Sequence, residues 1–162
     1  MKNISIIACV GKHLELGKNN DLIWHLPDDL KFFKENTIGK PVVMGLNTLY
    51  SLPRKLKDRQ YIVLTNQDVE LDDDIIVAKS MDELLDIIGK RSDEVMIIGG
   101  ASIYRQMIDY ADKMLLTEVD AECKDADVYF PEFDKKDWNS EVLSSHVTED
   151  YIPYKHLVYT RK

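Results

Sequence analysis

One stretch of the chain, from Trp24 through His25-Leu26-Pro27-Asp28-Asp29-Leu30-Lys31-Phe32-Phe33 to Lys34, sets acids among large apolar residues at a spacing that could do chemistry. It reads as a helix start. Pro27 suits the first helical position, where its missing N–H costs nothing. Asp28 and Asp29 then occupy the first turn, where the helix dipole favours negative charge. Asp29, Leu30 and Phe33 fall at i, i+1 and i+4 and share one stripe. If that stripe faces a cleft, Asp29 is a carboxylate in an oily wall, able to pair with the flat cationic edge of a ligand. Read from this helix alone, both acids are solvated first-turn residues. The rest of the chain turns the reading towards the cleft.

Two further segments carry glycine where a strand runs into a helix: Val43-Met44-Gly45-Leu46-Asn47-Thr48 and Ile97-Ile98-Gly99-Gly100-Ala101-Ser102. Backbone N–H groups at such junctions attract phosphate, and glycine lets the phosphate approach closely. Two junctions could hold an extended dinucleotide. Either alone is equally a packing or turn feature, and neither a GxGxxG nor a Walker sequence is present. His13, His25, His146 and His156 have no metal-ligand spacing and read as surface or internally satisfied histidines, so no metal is expected. There is no Gly-x-Ser-x-Gly elbow and no cysteine–histidine motif. Trp24, at the loop–helix boundary, can be a core anchor, a ligand contact or both.

These segments need a scaffold, and the hydrophobic pattern supplies one. Ile4 to Val10 is a continuous apolar run, as in a strand buried on both faces. Gly11 to Asn20 lacks periodicity, and Gly17-Lys18-Asn19-Asn20-Asp21 is turn chemistry, so the segment up to Trp24 reads as a long functional loop. A helix follows from Pro27 to about Asn36. Strands are expected at 40–45, 61–65, 74–78, 94–98 and 113–119. Helices are expected at 46–50, stopped near Pro53, at 81–88, capped by Ser80 with Glu83 and closed by Gly89, and at 102–110. After Asp120 the helical pattern disappears. Val128 to Phe130, Asn139 to Val147 and Tyr154 to Thr160 then look like antiparallel strands. The fold class is therefore α/β: one domain over residues 1–162, with a mainly parallel central sheet, flanking helices and an antiparallel C-terminal edge. In a parallel sheet both glycine junctions lie at the carboxyl edge, where ligands bind.

The 162 residues suffice for one domain with a real core, and 44% hydrophobic with 31% charged residues is ordinary for a soluble protein. Twenty-one basic against 29 acidic side chains give a formal charge of −8, which argues against a nucleic-acid partner. Cys9 and Cys123 make no disulfide framework; a buried free thiol at Cys9 fits a reducing compartment. The apolar run after Met1 is too short for a signal sequence, and no stretch spans a membrane, so a cytoplasmic protein is expected.

The ordered set of segments resembles the bacterial dihydrofolate reductases over essentially the whole chain. The resemblance rests on the apolar first strand, on Leu16-Gly17-Lys18-Asn19-Asn20-Asp21-Leu22-Ile23-Trp24-His25-Leu26-Pro27-Asp28-Asp29-Leu30, on Lys40-Pro41-Val42-Val43-Met44-Gly45, on Ile97-Ile98-Gly99-Gly100-Ala101, and on Thr117 near the end of the sixth expected strand. It implies NADPH-dependent reduction of 7,8-dihydrofolate to tetrahydrofolate by a monomer that also binds antifolate-type small molecules. Asp29, with Leu22, Trp24 and Thr117, would form the catalytic set. Asp29 would bond pterin N3 and the 2-amino group, with Thr117 supporting it directly or through water. Carbonyls of Ile7 and Ile98 would face the pterin beside Cys9. Leu30, Phe33, Leu52 and Leu56 would clasp the rings, and Arg59 would pair with the glutamate α-carboxylate. The loop from Gly11 to Ile23, with Leu22 at its tip, would close over the nicotinamide. Ala8, Leu16 and Gly17 would line the cofactor, and Tyr104 would pack near the nicotinamide. Gly45, Thr48, Gly99, Gly100, Ala101, Ser102 and Ile103 would hold the diphosphate. One departure matters: Leu46 and Asn47 stand where the family usually has an arginine and a basic residue gripping the ribose 2′-phosphate. Thr65, Asn66 and Lys79 are the remaining candidates, and a weakened preference for NADPH is implied. Cys9, where alanine is common, and Leu22 are tolerable variations.

Two other functions share some of these features. A same-fold reductase of a flavin-pathway pyrimidine would not need the Trp-His-Leu-Pro-Asp-Asp-Leu segment. A non-catalytic nucleotide-binding module would explain the glycine junctions but leave Asp29 and Arg59 without purpose.

Overall fold

A computed structural model describes residues 3–18, 21–52 and 56–162. Eleven strands and four α-helices follow in order: β1 (Ile4–Val10), β2 (Glu15–Lys18), β3 (Asp21–Leu22), α1 (Pro27–Thr37), β4 (Pro41–Gly45), α2 (Leu46–Ser51), β5 (Gln60–Leu64), β6 (Ile76–Ala78), α3 (Met81–Gly89), β7 (Val95–Gly99), α4 (Ala101–Met107), β8 (Lys113–Val119), β9 (Val128–Tyr129), β10 (Trp138–Val147) and β11 (Pro153–Arg161). The main sheet has the order β10-β11-β8-β1-β7-β4-β5-β6. Its six strands from β8 to β6 are parallel, and β11 and β10 add an antiparallel edge. The expected α/β architecture is the observed one.

Alternation along the strands divides the core in two. Ile4, Ile6, Ala8 and Val10 point to the face covered by α3 and α4, with Val43, Ile62, Leu84, Ile97 and Met107. Ile7, Val42, Met44, Val63, Met96 and Leu115 point to the other face, where Phe32, Phe33 and Leu49 from α1 and α2 pack. Both faces of the parallel strands are apolar, as a sheet covered on both sides requires. α1 begins as expected: Pro27 is its first residue, Asp28 and Asp29 fill the first turn, and the Leu26 carbonyl accepts the first helical N–H groups, from Asp29 and Leu30, each at 3.0 Å. In α3 the Ser80 hydroxyl accepts from Glu83 N at 3.2 Å, while the Glu83 carboxylate reaches back to Lys79 N at 3.1 Å, so the capping box closes one residue early.

Three expectations are corrected. The segment after β1 is not structureless: Gly17 pairs with Leu22 and with Val128, so β2, β3 and β9 form a separate three-stranded sheet. Val128 and Tyr129 therefore belong there and not to the antiparallel edge. Neither change has a local periodic signal: β2 and β3 are a short hairpin whose β2 face carries a buried acid and a glycine, and the pairing of β2 with β9 is long-range. The fourth helix ends at Met107 and tightens into a 3₁₀ turn at Ile108–Tyr110. Asn19 and Asn20 of the turn and the Pro53 stop lie outside the described residues; α2 ends at Ser51. Among the described residues no helix is long and apolar enough to cross a membrane, and no cluster of side chains could hold a metal ion.

Candidate active site

Strand register assembles the surroundings of Asp29. Cys9 on β1 is opposite Thr117 on β8, and Thr117 is opposite His156 on β11. Direct partners share a face of the sheet, so these three side chains form a row. α1 lies across that row and sets Asp29 on it. The Thr117 hydroxyl, on a residue 1% exposed, donates directly to Asp29 Oδ1 with no bridging water. The Cys9 thiol lies beside the carboxylate and, like Thr117, favours its charged form. The Asp29 side chain is 23% exposed. Burial raises its pKa above the usual carboxylate range, and these two neighbours work against that rise. The same burial, with the Asp29 charge beside it, pushes the Cys9 thiol well up. Cys9 is a free, half-buried thiol.

Around this carboxylate the apolar residues divide. Phe33, Leu52, Leu56 and Ile98 are half-buried against the cluster on the α1 face, whereas Leu30 is 56% exposed. The stripe read from the sequence thus has one half-buried and one open apolar member. Trp24 is partly buried against the cluster of Leu26, Val119 and Tyr154, as Cys9 is, and is a core anchor here. Gly11 makes room for it: a Cβ there would meet Trp24 Cη2 and Glu15 Oε1 at 2.5 Å. Arg59 is fixed to the end of α1, donating to Lys34 O at 2.8 Å, to Thr37 Oγ1 at 3.1 Å and to Lys57 O. A guanidinium has five N–H groups, so among the described residues two are left for a ligand carboxylate.

The glycine junctions interlock at the ends of neighbouring strands β4 and β7. A Cβ on Gly45 would meet Ile103 Cγ1 at 3.3 Å, and one on Gly100 would meet Thr48 Oγ1 at 3.4 Å. Gly99 has φ +125°, a conformation closed to other residues, and its peptide to Gly100 is cis. Tyr104 is buried below it and donates to the Ile7 carbonyl at 2.8 Å. That carbonyl keeps a second lone pair. Ala8, Ile103 and Thr65 are buried, Leu16 and Ala101 half-buried, and Asn47, Asn66 and Ser102 exposed. Leu46 packs into the apolar cluster of the α1 face. Lys79 Nζ donates to Gln67 O at 2.8 Å and Asp68 Oδ1 at 3.1 Å, beside the Thr65-Asn66 turn.

Glu15 organises the segment that ends at Leu22, a residue 58% exposed. Buried to 2% exposure, it accepts from His13 N and Cys123 N, both at 2.7 Å. Burial opposes its charge, but these backbone donors outweigh it and hold the carboxyl below its ordinary range. The arrangement ties the β1–β2 turn to the loop before β9, and Asp127 N adds a bond to Gly17 O at 3.1 Å.

Comparison with known proteins then fixes the family. Residues 3–161 match the family model described as dihydrofolate reductase. This chain belongs to the dihydrofolate reductase family. It is 42% identical over 132 residues to the dihydrofolate reductase of Buchnera aphidicola subsp. Acyrthosiphon pisum, covering 81% of this chain and 80% of that one. It is 35% identical over 161 residues to that of Bacillus subtilis, covering 98% and 95%. A solved structure, dihydrofolate reductase from Enterococcus faecalis complexed with NADP(H) and RAB-propyl, superposes with a TM-score of 0.87 at 29% identity, covering 98% of this chain and 96% of that one.

Within the reductase frame one side chain has more to do than its sequence reading, a surface or internally satisfied histidine, gives it. His156 is 2% exposed, its Nδ1 lies 2.8 Å from Thr117 Oγ1 and 3.8 Å from Asp29 Oδ1, and its ring stacks on Phe32 at 4.1 Å. A signal existed: alternation along the last strand puts His156 on the face of Tyr154 and Val158. Tyr154 donates to Asp28 Oδ2 at 3.2 Å, and His146 stacks on its ring and lies 3.4 Å from the same oxygen.

Proposed function

We propose that the protein reduces 7,8-dihydrofolate to 5,6,7,8-tetrahydrofolate with NADPH. The observation that carries this is the Asp29 carboxylate, held by Thr117 with Cys9 alongside and beside an apolar wall, in a chain of this family. Asp29 bonds pterin N3 and the 2-amino group, and a buried charge favours the cationic pterin there. Leu30, Phe33, Leu52 and Leu56 clasp the rings, and Ile7 and Ile98 offer carbonyls. The two N–H groups of Arg59 that have no partner among the described residues suit a bidentate carboxylate. Asp29 sits too far along the ring to protonate N5, so water delivers that proton while Asp29 fixes the ring. Leu22 and the segment behind it shut out bulk water.

The bare backbone at Gly45, Gly99 and Gly100 fits a diphosphate; a Cβ at Gly45 or Gly99 would crowd the junction, and one at Gly100 would take up the space in front of Thr48. Thr48, Ala101, Ser102 and Ile103 adjoin it, and Ala8, Leu16, Gly17 and Tyr104 fit the nicotinamide end. When bound, NADPH supplies the hydride that pterin C6 accepts. One chain can supply all of these groups, and we take the protein to act as a monomer. The free thiols of Cys9 and Cys123 support a reducing, cytoplasmic setting.

The direct test is to mix the protein with dihydrofolate and NADPH and follow loss of reduced-nicotinamide absorbance. No loss overturns the reading. Arg59→Lys is expected to raise KM for dihydrofolate about tenfold with kcat nearly unchanged, because a point charge replaces the fork and the lost binding is shared by ground and transition states. A fall in kcat with unchanged KM would contradict that role.

Cofactor choice gives a second check. Leu46 faces apolar neighbours, so nothing at that position donates to a 2′-phosphate. NADPH is expected to exceed NADH in kcat/KM by a modest ratio, with Lys79 and the Thr65-Asn66 turn supplying it. Leu46→Arg is expected to widen the ratio about tenfold, the worth of one charge-assisted contact. A wide ratio in the unaltered protein that Lys79→Ala leaves intact would contradict this assignment.

A further inference from the structure

His156 is buried, aromatic-stacked and polar, and nothing in the proposed reaction uses it. The hydrogen-bond chain that it ends admits two arrangements. Thr117 has one hydroxyl proton. If that proton goes to Asp29, His156 must donate Nδ1–H to Thr117 Oγ1. If Thr117 donates to His156 instead, Asp29 must carry a proton of its own to give to Thr117, and His156 then bears its hydrogen on Nε2. Nε2 is buried and has no hydrogen-bond partner among the described residues. A buried N–H without a partner is costlier than a bare acceptor lone pair. The surroundings therefore select the Nδ1–H form, and with it an ionised Asp29.

We propose that His156 is a positioning residue for Asp29: by donating Nδ1–H to Thr117 it commits the threonine hydroxyl to the carboxylate, holding it charged and aimed. Phe32 fixes the imidazole plane from α1, the helix that also carries Asp29. The other groups facing Asp29 do not replace this donor. Cys9 on β1 offers only a thiol, a weak donor, and Tyr104 on α4 is committed to Ile7. Asp28 on α1 is held by Tyr154 on β11 and His146 on β10. Burial, then the neighbouring His146, lowers the His156 pKa, so the ring is neutral and acts as a donor and not as a counter-ion.

The inference rests on Asp29 being the group that meets the pterin, but its test does not need turnover. The carboxyl carbon of Asp29 is titrated by ¹³C NMR in the full chain and in three variants. His156→Phe keeps the stack on Phe32 and loses the donor. His156→Asn places an amide nitrogen where Nδ1 lies, and His156→Gln places one where Nε2 lies. His156→Phe and His156→Gln are expected to raise the Asp29 midpoint by about one pH unit, a tenfold change in ionisation. His156→Asn is expected to restore it. The acid limb of kcat/KM for dihydrofolate moves with the midpoint. An unmoved midpoint in His156→Phe, equal shifts in the Asn and Gln variants, or a moved midpoint with an unmoved acid limb each overturns the proposal. No turnover in the unaltered protein would overturn the functional reading instead, and the titration would still decide this one.

Discussion

Asp29→Asn is expected to lower turnover of dihydrofolate at neutral pH by about 100- to 1,000-fold, the usual cost of removing one preorganised electrostatic partner. It is not expected to cost stability. Burial raises the folded-state pKa of Asp29 above its unfolded value. For an acid that shift is a penalty on the charged folded form, fully present above the folded pKa and absent below the unfolded one. At pH 7 the native carboxylate therefore opposes folding, and the amide relieves that opposition while still accepting from Thr117. Thermal unfolding of Asp29→Asn is expected at or above the temperature of the unaltered protein, so stability and activity part company at one residue. Lost activity should recover partly in acid, because N5 draws its proton from water and an acid medium substitutes for the missing charge. Rate–pH profiles beside melting curves check both halves. Near-normal neutral rates would remove Asp29 from the mechanism, and a large drop in melting temperature would make it a structural residue.

How far this site could be read beforehand follows from where its information lies. The start of α1 is local: Pro27, two acids and the apolar residues after them specify a helix whose first turn carries Asp29, and the helix appears where expected. The glycine junctions are local too, each a buried strand stopped by glycine. The partners of Asp29 are not. Thr117 stands 88 residues away in sequence, and only the register of β8 against β1 and β11 brings Cys9, Thr117 and His156 into one row. No periodicity records register between strands that are distant in the chain. His156 looked like any lone histidine because its meaning is set by Phe32 and Thr117. The β2–β3–β9 sheet was hidden for a related reason. Its strands are short, and its anchor is a buried glutamate satisfied by backbone N–H groups from His13 and Cys123, where hydrophobic pattern predicts an exposed acid.

At the opposite end of the parallel strands Glu94 gathers four of them at their starts. It accepts from Ser5 on β1, from Lys40 just before β4 at 2.8 Å and from Lys113 on β8 at 2.7 Å, and it immediately precedes β7. Burial opposes its charge, but Lys113, Lys40 and Ser5 prevail and hold its pKa down at about 2. A depressed carboxyl stabilises the fold fully above the unfolded pKa, and that contribution fades as pH falls through the folded value. Glu94 therefore supports the fold at neutral pH and loses its contribution between about pH 4.5 and 2. Glu94→Gln removes the charge and leaves Lys40 and Lys113 facing each other. After allowance for solvent screening the expected loss is about 2 kcal/mol at pH 7. Urea unfolding at pH 7 and at pH 3 checks it: the variant should be the weaker protein at pH 7, and the gap should narrow at pH 3. The candidate active site lies at the other edge of the same strands, so kcat for dihydrofolate should be unchanged well below the unfolding midpoint. An equal stability gap at both pH values would show that packing, and not this charge, joins the four strands.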